Sequence, residues 1–396
     1  MKAAFVPGIE LARGYYLEVI RPLLEGYSPG LRHSAALIGS GSEVLGFDTP
    51  RSSDHNWGPR CQVFIGAGDG DRAAEIAALL ADRLPATFLG WPTCFPDVTA
   101  PDLAPRHWIE VAELGQWLIS RVGFDPRAGV GLVDWLATPT QALAELTGGE
   151  VFSDGLAAEG GAAASGGLRA ARASLAWYPD DVWRYVLACQ WQRISQEEPF
   201  PGRCAEVGDD LGSVVVTARL ARDLMRLAML MHRRYPPYSK WLGSAFGRLP
   251  GTDGGLHGRL TAALAAPDWP GRERNLSAAY EVAAAMHNDL GLTEPVGASV
   301  RPFHDRPFRV IDAGRFVVAL IDSISAEQIR RLPATGAADQ FIDSTDVTGD
   351  LPLLRSVISA RLLGPAAQLS TADAATAVVI PSGRSTLPNG QPFRPG

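Results

Sequence analysis

Residues 39–61 read GSGSEVLGFDTPRSSDHNWGPRC and follow the apolar run SAALI at 34–38. A glycine-rich turn directly after a strand lets backbone N–H groups approach an anion closely, because glycine has no Cβ and such turns form anion-binding nests. Taken alone, Gly39–Ser42 is equally well explained as a plain tight turn. No Gly-Lys-Ser/Thr follows, so it is not a P-loop, and the glycine spacing is wrong for the dinucleotide fingerprint. The continuation carries more weight. A ten-residue spacer separates Gly41-Ser42 from Ser53-Asp54-His55-Asn56, which enters the next strand candidate, RCQVFIG at 60–66. Strand side chains two apart share a face, so Asp54 and Asn56 are expected to flank one spot. Glu110, in the strand candidate HWIEV at 107–111, would add a third oxygen ligand. Magnesium favours such sparse oxygen coordination and completes its shell from water and substrate phosphates.

Outward from this stretch, apolar residues at helical spacing (Ile9, Leu11, Tyr15, Val19, Leu23) predict a helix over 9–24, and AAEIAALLADRL predicts another over 73–84. Strand signals thin out after Glu113, and 168–196, 212–234, 256–268, 275–289 and 312–330 read as helices. LAAEGGAAASGG at 156–167 reads as a surface loop, and the Pro/Gly-rich tail after Ile380 as extended chain. The expectation is α+β: an α/β domain with a mixed sheet at 1–125, a mainly helical domain at 126–380 and a tail at 381–396.

The 396 residues are 46% hydrophobic and 20% charged, as in ordinary globular chains, and a net charge of −7 gives no general basic face for nucleic acid. The N-terminus lacks the apolar core of a signal peptide and no window reaches membrane-spanning length, so a cytoplasmic protein is expected. Cys61, Cys94, Cys189 and Cys204 have no Cys-x-x-Cys spacing, and the seven histidines have no His-x-x-x-His pairing, so zinc and disulfides are not indicated.

Gly-Ser, a spacer, then acid-x-acid near a strand start with a third carboxylate on a later strand resembles the nucleotidyltransferase superfamily, the polymerase-beta-like fold, and within it the antibiotic-modifying branch, over about residues 30–112. EVLGFDTPRSSDHNWGPR (43–60), DVWRYVLACQWQRISQEEPFPGR (181–203), RRYPPYSKW (233–241) and DQFIDSTDV (339–347) are similar to a bacterial nucleotidyltransferase-like family filed under domain of unknown function 4037. The resemblance implies that Gly41 and Ser42 hold the β- and γ-phosphates of ATP or another nucleoside triphosphate. It also implies that Asp54, position 56 and Glu110 hold magnesium, and that a nucleoside monophosphate, most plausibly AMP, passes to a hydroxyl of a small-molecule acceptor. Ser53, Arg203 and Lys240 complete the expected nucleotide-binding set, Arg203 by bidentate phosphate contact and Lys240 by neutralising triphosphate charge. Neither nucleic acid nor membrane is an expected partner.

Asn56 departs from the pattern, which has Asp there. An amide oxygen still touches a cation but removes one negative charge from the site. An engineered Asp-to-Asn change, a degenerate transferase that binds without transfer, and a site repurposed for another reaction on a nucleotide-derived intermediate all account for it. The remaining polar residues have plainer alternatives. Asp48 and Arg51 suit turn chemistry as well as substrate contact, and Arg60 suits a structural salt bridge. Glu197, Glu198 and Arg203 suit a solvated helix junction, and Arg233 and Arg234 complement a helix C-terminus. Asp343, Ser344 and Asp346 suit helix capping.

Overall fold

The computed structural model describes residues 4–54, 57–96, 105–157, 166–251 and 255–371; His55, Asn56 and the tail at 381–396 lie outside them. The chain opens on α1 (Gly8–Tyr15), which passes through a π-helical turn at Tyr16–Ile20 into α2 (Arg21–Tyr27). Pro22 has no N–H for the Glu18 carbonyl and its ring crowds that oxygen, and the wider turn just before it takes up the mismatch. Leu11, Tyr15, Ile20 and Leu24 form the buried stripe.

Next come β1 (His33–Leu37), β2 (Arg60–Ile65), α3 (Arg72–Arg83), a small hairpin of β3 (Thr87–Phe88) and β4 (Trp91–Pro92), and then β5 (Cys94–Phe95) and β6 (Arg106–Glu113). The main sheet is mixed, in the order β5-β6-β2-β1-β7, where β7 is Glu150–Asp154. β1 is antiparallel to β2 and to β7, while β6 runs parallel to β2 with Glu110 beside Gln62. One face, carrying Val63, Ile65 and Ile109, is covered by α1, α2 and α3; the other, with Ala36 and Phe64, packs on Trp117, Leu143 and the helical core. Burial on both faces is why AALI (35–38) and VFI (63–65) are unbroken apolar runs.

β7 takes the sheet past residue 125, and its sequence, EVFSD, gives little warning of this. The strand is fixed by pairing rather than by its own apolarity. Gly149, at φ +61°, lets the backbone press against the Leu37 carbonyl, where a Cβ would collide.

The helices are α4 (Leu114–Val122), α5 (Leu132–Ala137) and α6 (Thr140–Thr147) before β7. After it come α7 (Leu168–Ser174), α8 (Asp180–Glu197), α9 (Phe200–Glu206), α10 (Asp210–Met231), α11 (Ser239–Gly247), α12 (Leu256–Ala265), α13 (Trp269–Asp289), α14 (Gly314–Asp322), α15 (Glu327–Arg330), α16 (Ala338–Phe341), α17 (Thr345–Thr348) and α18 (Leu351–Thr371). The helix expected over 168–196 is two helices. Tyr178 precedes Pro179, which bars it from helical backbone and forces the break between α7 and α8. The helix expected over 312–330 also divides, where the Asp181 carboxylate accepts the N–H groups of Ser325 (3.2 Å) and Ala326 (2.7 Å). α8 packs against α10 and α14 and is buried on most sides, so its sequence has little helical amphipathicity to read. Among the described residues no helix is long and apolar enough to cross a membrane, and all four cysteines are free.

At the centre of this core Trp191 Nε1 donates to His287 Nδ1 at 3.3 Å, and His287 Nε2 lies 3.3 Å from Thr293 Oγ1. The Thr293 hydroxyl donates to the Glu294 carbonyl, so it accepts from Nε2–H, and the neutral tautomer satisfies every group. Burial lowers the His287 pKa to about 4. A depressed folded-state pKa means that this stability is fully present above the unfolded pKa of about 6.5. It is lost as pH falls toward 4, by on the order of 3 kcal/mol. His287→Asn, which keeps an acceptor for Trp191, is expected to flatten the fall in urea midpoint between pH 7 and 4. An acid limb as steep as the parent's would count against this assignment.

Candidate functional site

The turn after β1 is fastened from both sides. Ile38 N–H donates to Gln62 Oε1 (3.1 Å) on β2, and Gly39 N–H to the Glu145 carbonyl (3.0 Å) on α6. Phe47 N–H returns to the Ser42 carbonyl at 2.8 Å, closing the loop. At the start of β2, Arg60 bonds the Glu43 carboxylate through Nε (2.8 Å) and Nη2 (2.5 Å), and Nη2 also reaches the Ser40 carbonyl at 2.6 Å. The Glu43 side chain is 2% exposed, so a buried ion pair straps the turn to the sheet. Gly41 lies over this strap at φ +152°, and a Cβ there would run into the Arg60 guanidinium and the Glu43 carboxylate. The N–H groups of Gly41 and Ser42 and the Ser42 hydroxyl donate to no acceptor among the described residues.

In front of the turn, the sheet register puts Arg60 beside Trp108 and Gln62 beside Glu110, so these four residues share one face. Glu110 pairs with Arg121 of α4 at 3.3 Å, both side chains 41% exposed, and Arg121 lies 5.0 Å from the Trp117 ring centroid. From α6, Gln141 donates to Glu145 at 2.7 Å and accepts the Tyr238 N–H at 2.9 Å. Burial raises the Glu145 pKa, while Arg121 and Arg60 pull it back. Through Tyr238 the segment bearing Lys240 reaches this face. Trp241 stacks on Phe47 of the loop at 5.1 Å, with Lys240 Nζ 4.9 Å from the Trp241 ring.

The structure therefore brings Gly41, Ser42 and Glu110 to one side of the sheet and adds Arg60, Arg121, Gln141 and Glu145, while Lys240 is tied to this face only through Tyr238 and Trp241. Asn56 lies outside the described residues. Asp54 ends a 3-10 turn, Pro50–Asp54, and β2 begins only at Arg60, so Asp54 itself is not on the strand. The Ser53 hydroxyl closes that same turn on the Pro50 carbonyl at 2.8 Å. Asp48 fastens the start of α1, accepting from Gly8 N–H (2.7 Å) and Trp57 Nε1 (3.1 Å). Arg203 is on α9, its guanidinium 5.7 Å from the Phe200 ring, and α9 packs on α10 and α13 rather than on the sheet. Neighbouring Glu198 clasps the chain before α14, accepting the N–H groups of Ile311 (2.8 Å), Asp312 (3.1 Å) and Ala313 (2.9 Å). Asp343 pairs with Arg222 at 3.5 Å.

Arg121 and Glu145 carry no local motif, and no signal in the sequence marks them; the Glu43–Arg60 pair lies within the opening stretch, where opposite charges flanking a turn were the available sign. Among the described residues no three His, Cys, Asp or Glu side chains form a metal-binding group. Of the expected magnesium ligands Glu110 has a defined side-chain setting, half-exposed and held by Arg121.

Residues 135–242, from α5 into α11, match the model of a family described as "Domain of unknown function (DUF4037)". No curated protein and no solved structure matches the chain. The family match thus attaches to the helical segment that carries Gln141, Glu145 and Lys240, and the Gly-Ser turn and Glu110 lie outside it.

Proposed function

We propose that the protein is a magnesium-dependent nucleotidyltransferase that moves a nucleoside monophosphate, most plausibly AMP from ATP, to a hydroxyl of a small molecule. The observation carrying this is the turn itself: N–H groups at Gly41 and Ser42 that meet no acceptor among the described residues, pinned by a buried ion pair, with Arg121 on the Glu110 face of the sheet. Such a turn would cradle the β- and γ-phosphates, since preorganised N–H donors bind an oxyanion without reorganisation. Asp54, position 56 and Glu110 would hold magnesium, which when bound neutralises phosphate charge. The acceptor oxygen would bond to the α-phosphorus as the bond to the β-phosphate oxygen breaks, releasing pyrophosphate. Glu145, a carboxylate with a raised pKa fixed by Gln141, would take the hydroxyl proton.

A second function, binding a nucleotide or a nucleotide-derived metabolite without transfer, is favoured by two observations: the neutral Asn56 and the engagement of Glu110 by Arg121. The two are separated by following pyrophosphate release from ATP and magnesium across a panel of hydroxyl acceptors, for the parent and for Asn56→Asp. Release from Asn56→Asp supports transfer chemistry in this site. Triphosphate binding without release by either protein supports the binding role.

A further inference from the structure

Beyond the turn, on the far side of Val44–Phe47, lies a cleft of about 780 Å³ lined by Arg169, Arg172, Arg233, Arg234 and Arg248. Its volume falls in the range of small-molecule sites. In a chain of net charge −7, five arginines line this cleft with no carboxylate among the described lining residues. Of the nearby acids, Glu150 is hydrogen-bonded to Arg13 and also acts on Arg169 and Arg172 through space, and Asp180 lies 3.8 Å from Arg233, whose guanidinium is 4.3 Å from the Trp183 ring.

The arginines are positioned by the fold yet not used up by it. Arg172 caps the end of α6, giving Nε to the Leu146 carbonyl (2.9 Å) and Nη2 to those of Thr147 and Gly148 (2.7 Å each). A guanidinium has five N–H donors, and the Arg172 Nη1 has no acceptor among the described residues. Arg248 gives Nη1 to the Gly46 carbonyl at 2.8 Å and stacks 4.1 Å from the Phe47 centroid. Arg169 gives Nη2 to the Val151 carbonyl at 2.8 Å. The Arg234 side chain has no partner among the described residues. Burial and the neighbouring Arg169 hold the Arg172 pKa below its ordinary value, with Glu150 offsetting part of the effect. The remaining wall is apolar, from Leu45, Phe47, Met229 and Tyr235.

We infer that this cleft is a second binding site, for a small organic anion carrying at least two oxyanion groups, phosphate or carboxylate, on an apolar body. Arginine forks bind both kinds of group bidentately, and the apolar wall would hold the body.

The test is calorimetric titration of the full chain, without magnesium, with pyrophosphate and with citrate. Saturable binding of either is expected, and which one binds more tightly identifies phosphate or carboxylate as the preferred group. Arg234→Gln should weaken binding about tenfold or more, the effect of one lost charge-assisted contact, and Arg169→Gln/Arg234→Gln further. Exposed Arg83→Gln on α3 should bind as the parent does, and the thermal melts of Arg234→Gln and Arg83→Gln should coincide with the parent's. Absence of saturable binding by both probes, or binding unchanged in the double variant, overturns the proposal. Gly41→Ala reports on the turn: loss of probe binding in that variant alone would move the site to the turn and overturn the cleft assignment.

Discussion

Arg60→Leu is expected to lower the stability of the folded chain by about 3–5 kcal/mol, because it leaves the Glu43 carboxylate buried without its partner. The measurement is a urea melt with an unchanged slope and a shifted midpoint. Loss of one partner is costly where loss of both need not be, since two charges then no longer have to be desolvated. Arg60→Leu/Glu43→Leu should therefore recover most of the stability. It should not recover the turn, because Arg60 also holds the Ser40 carbonyl at 2.6 Å and nothing in the double variant replaces that bond. A cost below about 1 kcal/mol for Arg60→Leu would mean that the pair behaves as a surface contact and does not strap the turn.

Asn56→Asp is expected to raise the rate of pyrophosphate release by on the order of 100-fold, about 2–3 kcal/mol of barrier. A carboxylate at 56 restores a full negative charge where the proposed magnesium would lie, and charge stabilisation by such an ion amounts to several kcal/mol. Glu110 does not make up for the missing charge, because Arg121 already offsets it at 3.3 Å. The assay compares initial rates at saturating ATP and magnesium over the acceptor panel. Equal, fast release by the parent would show that charge at position 56 does not limit the reaction.

Much of the sheet is legible in residues 33–113, because β1 and β2 carry the short apolar runs AALI and VFI and β6 carries Trp108, Ile109 and Val111, with turns rich in Gly, Pro and Ser between β1 and β2. β7 is not, since EVFSD owes its place to pairing with β1 and to the left-handed Gly149. The break at Leu175–Pro179 could be read from Tyr178-Pro179, but the continuous apolar spacing over 168–196 outweighs it. Part of the candidate site is visible in sequence as Gly41-Ser42 and Glu110. The charges that surround them are not, since Arg121 and Glu145 are brought in by α4 and α6, between β6 and β7, and leave no spacing signature. Arg203 shows the opposite case. It lies in a polar junction whose density is explained by Glu198 holding the backbone at Ile311–Ala313.

The central claim, that a nucleoside triphosphate is held at the turn following β1, is tested most directly by titrating the parent chain and Gly41→Ala with ATP and magnesium. The account predicts saturable binding by the parent and a loss of at least tenfold in Gly41→Ala, whose added Cβ would push against Arg60 and Glu43 beneath the phosphates. Failure of the parent to bind ATP, or equal binding by a folded Gly41→Ala, would contradict it.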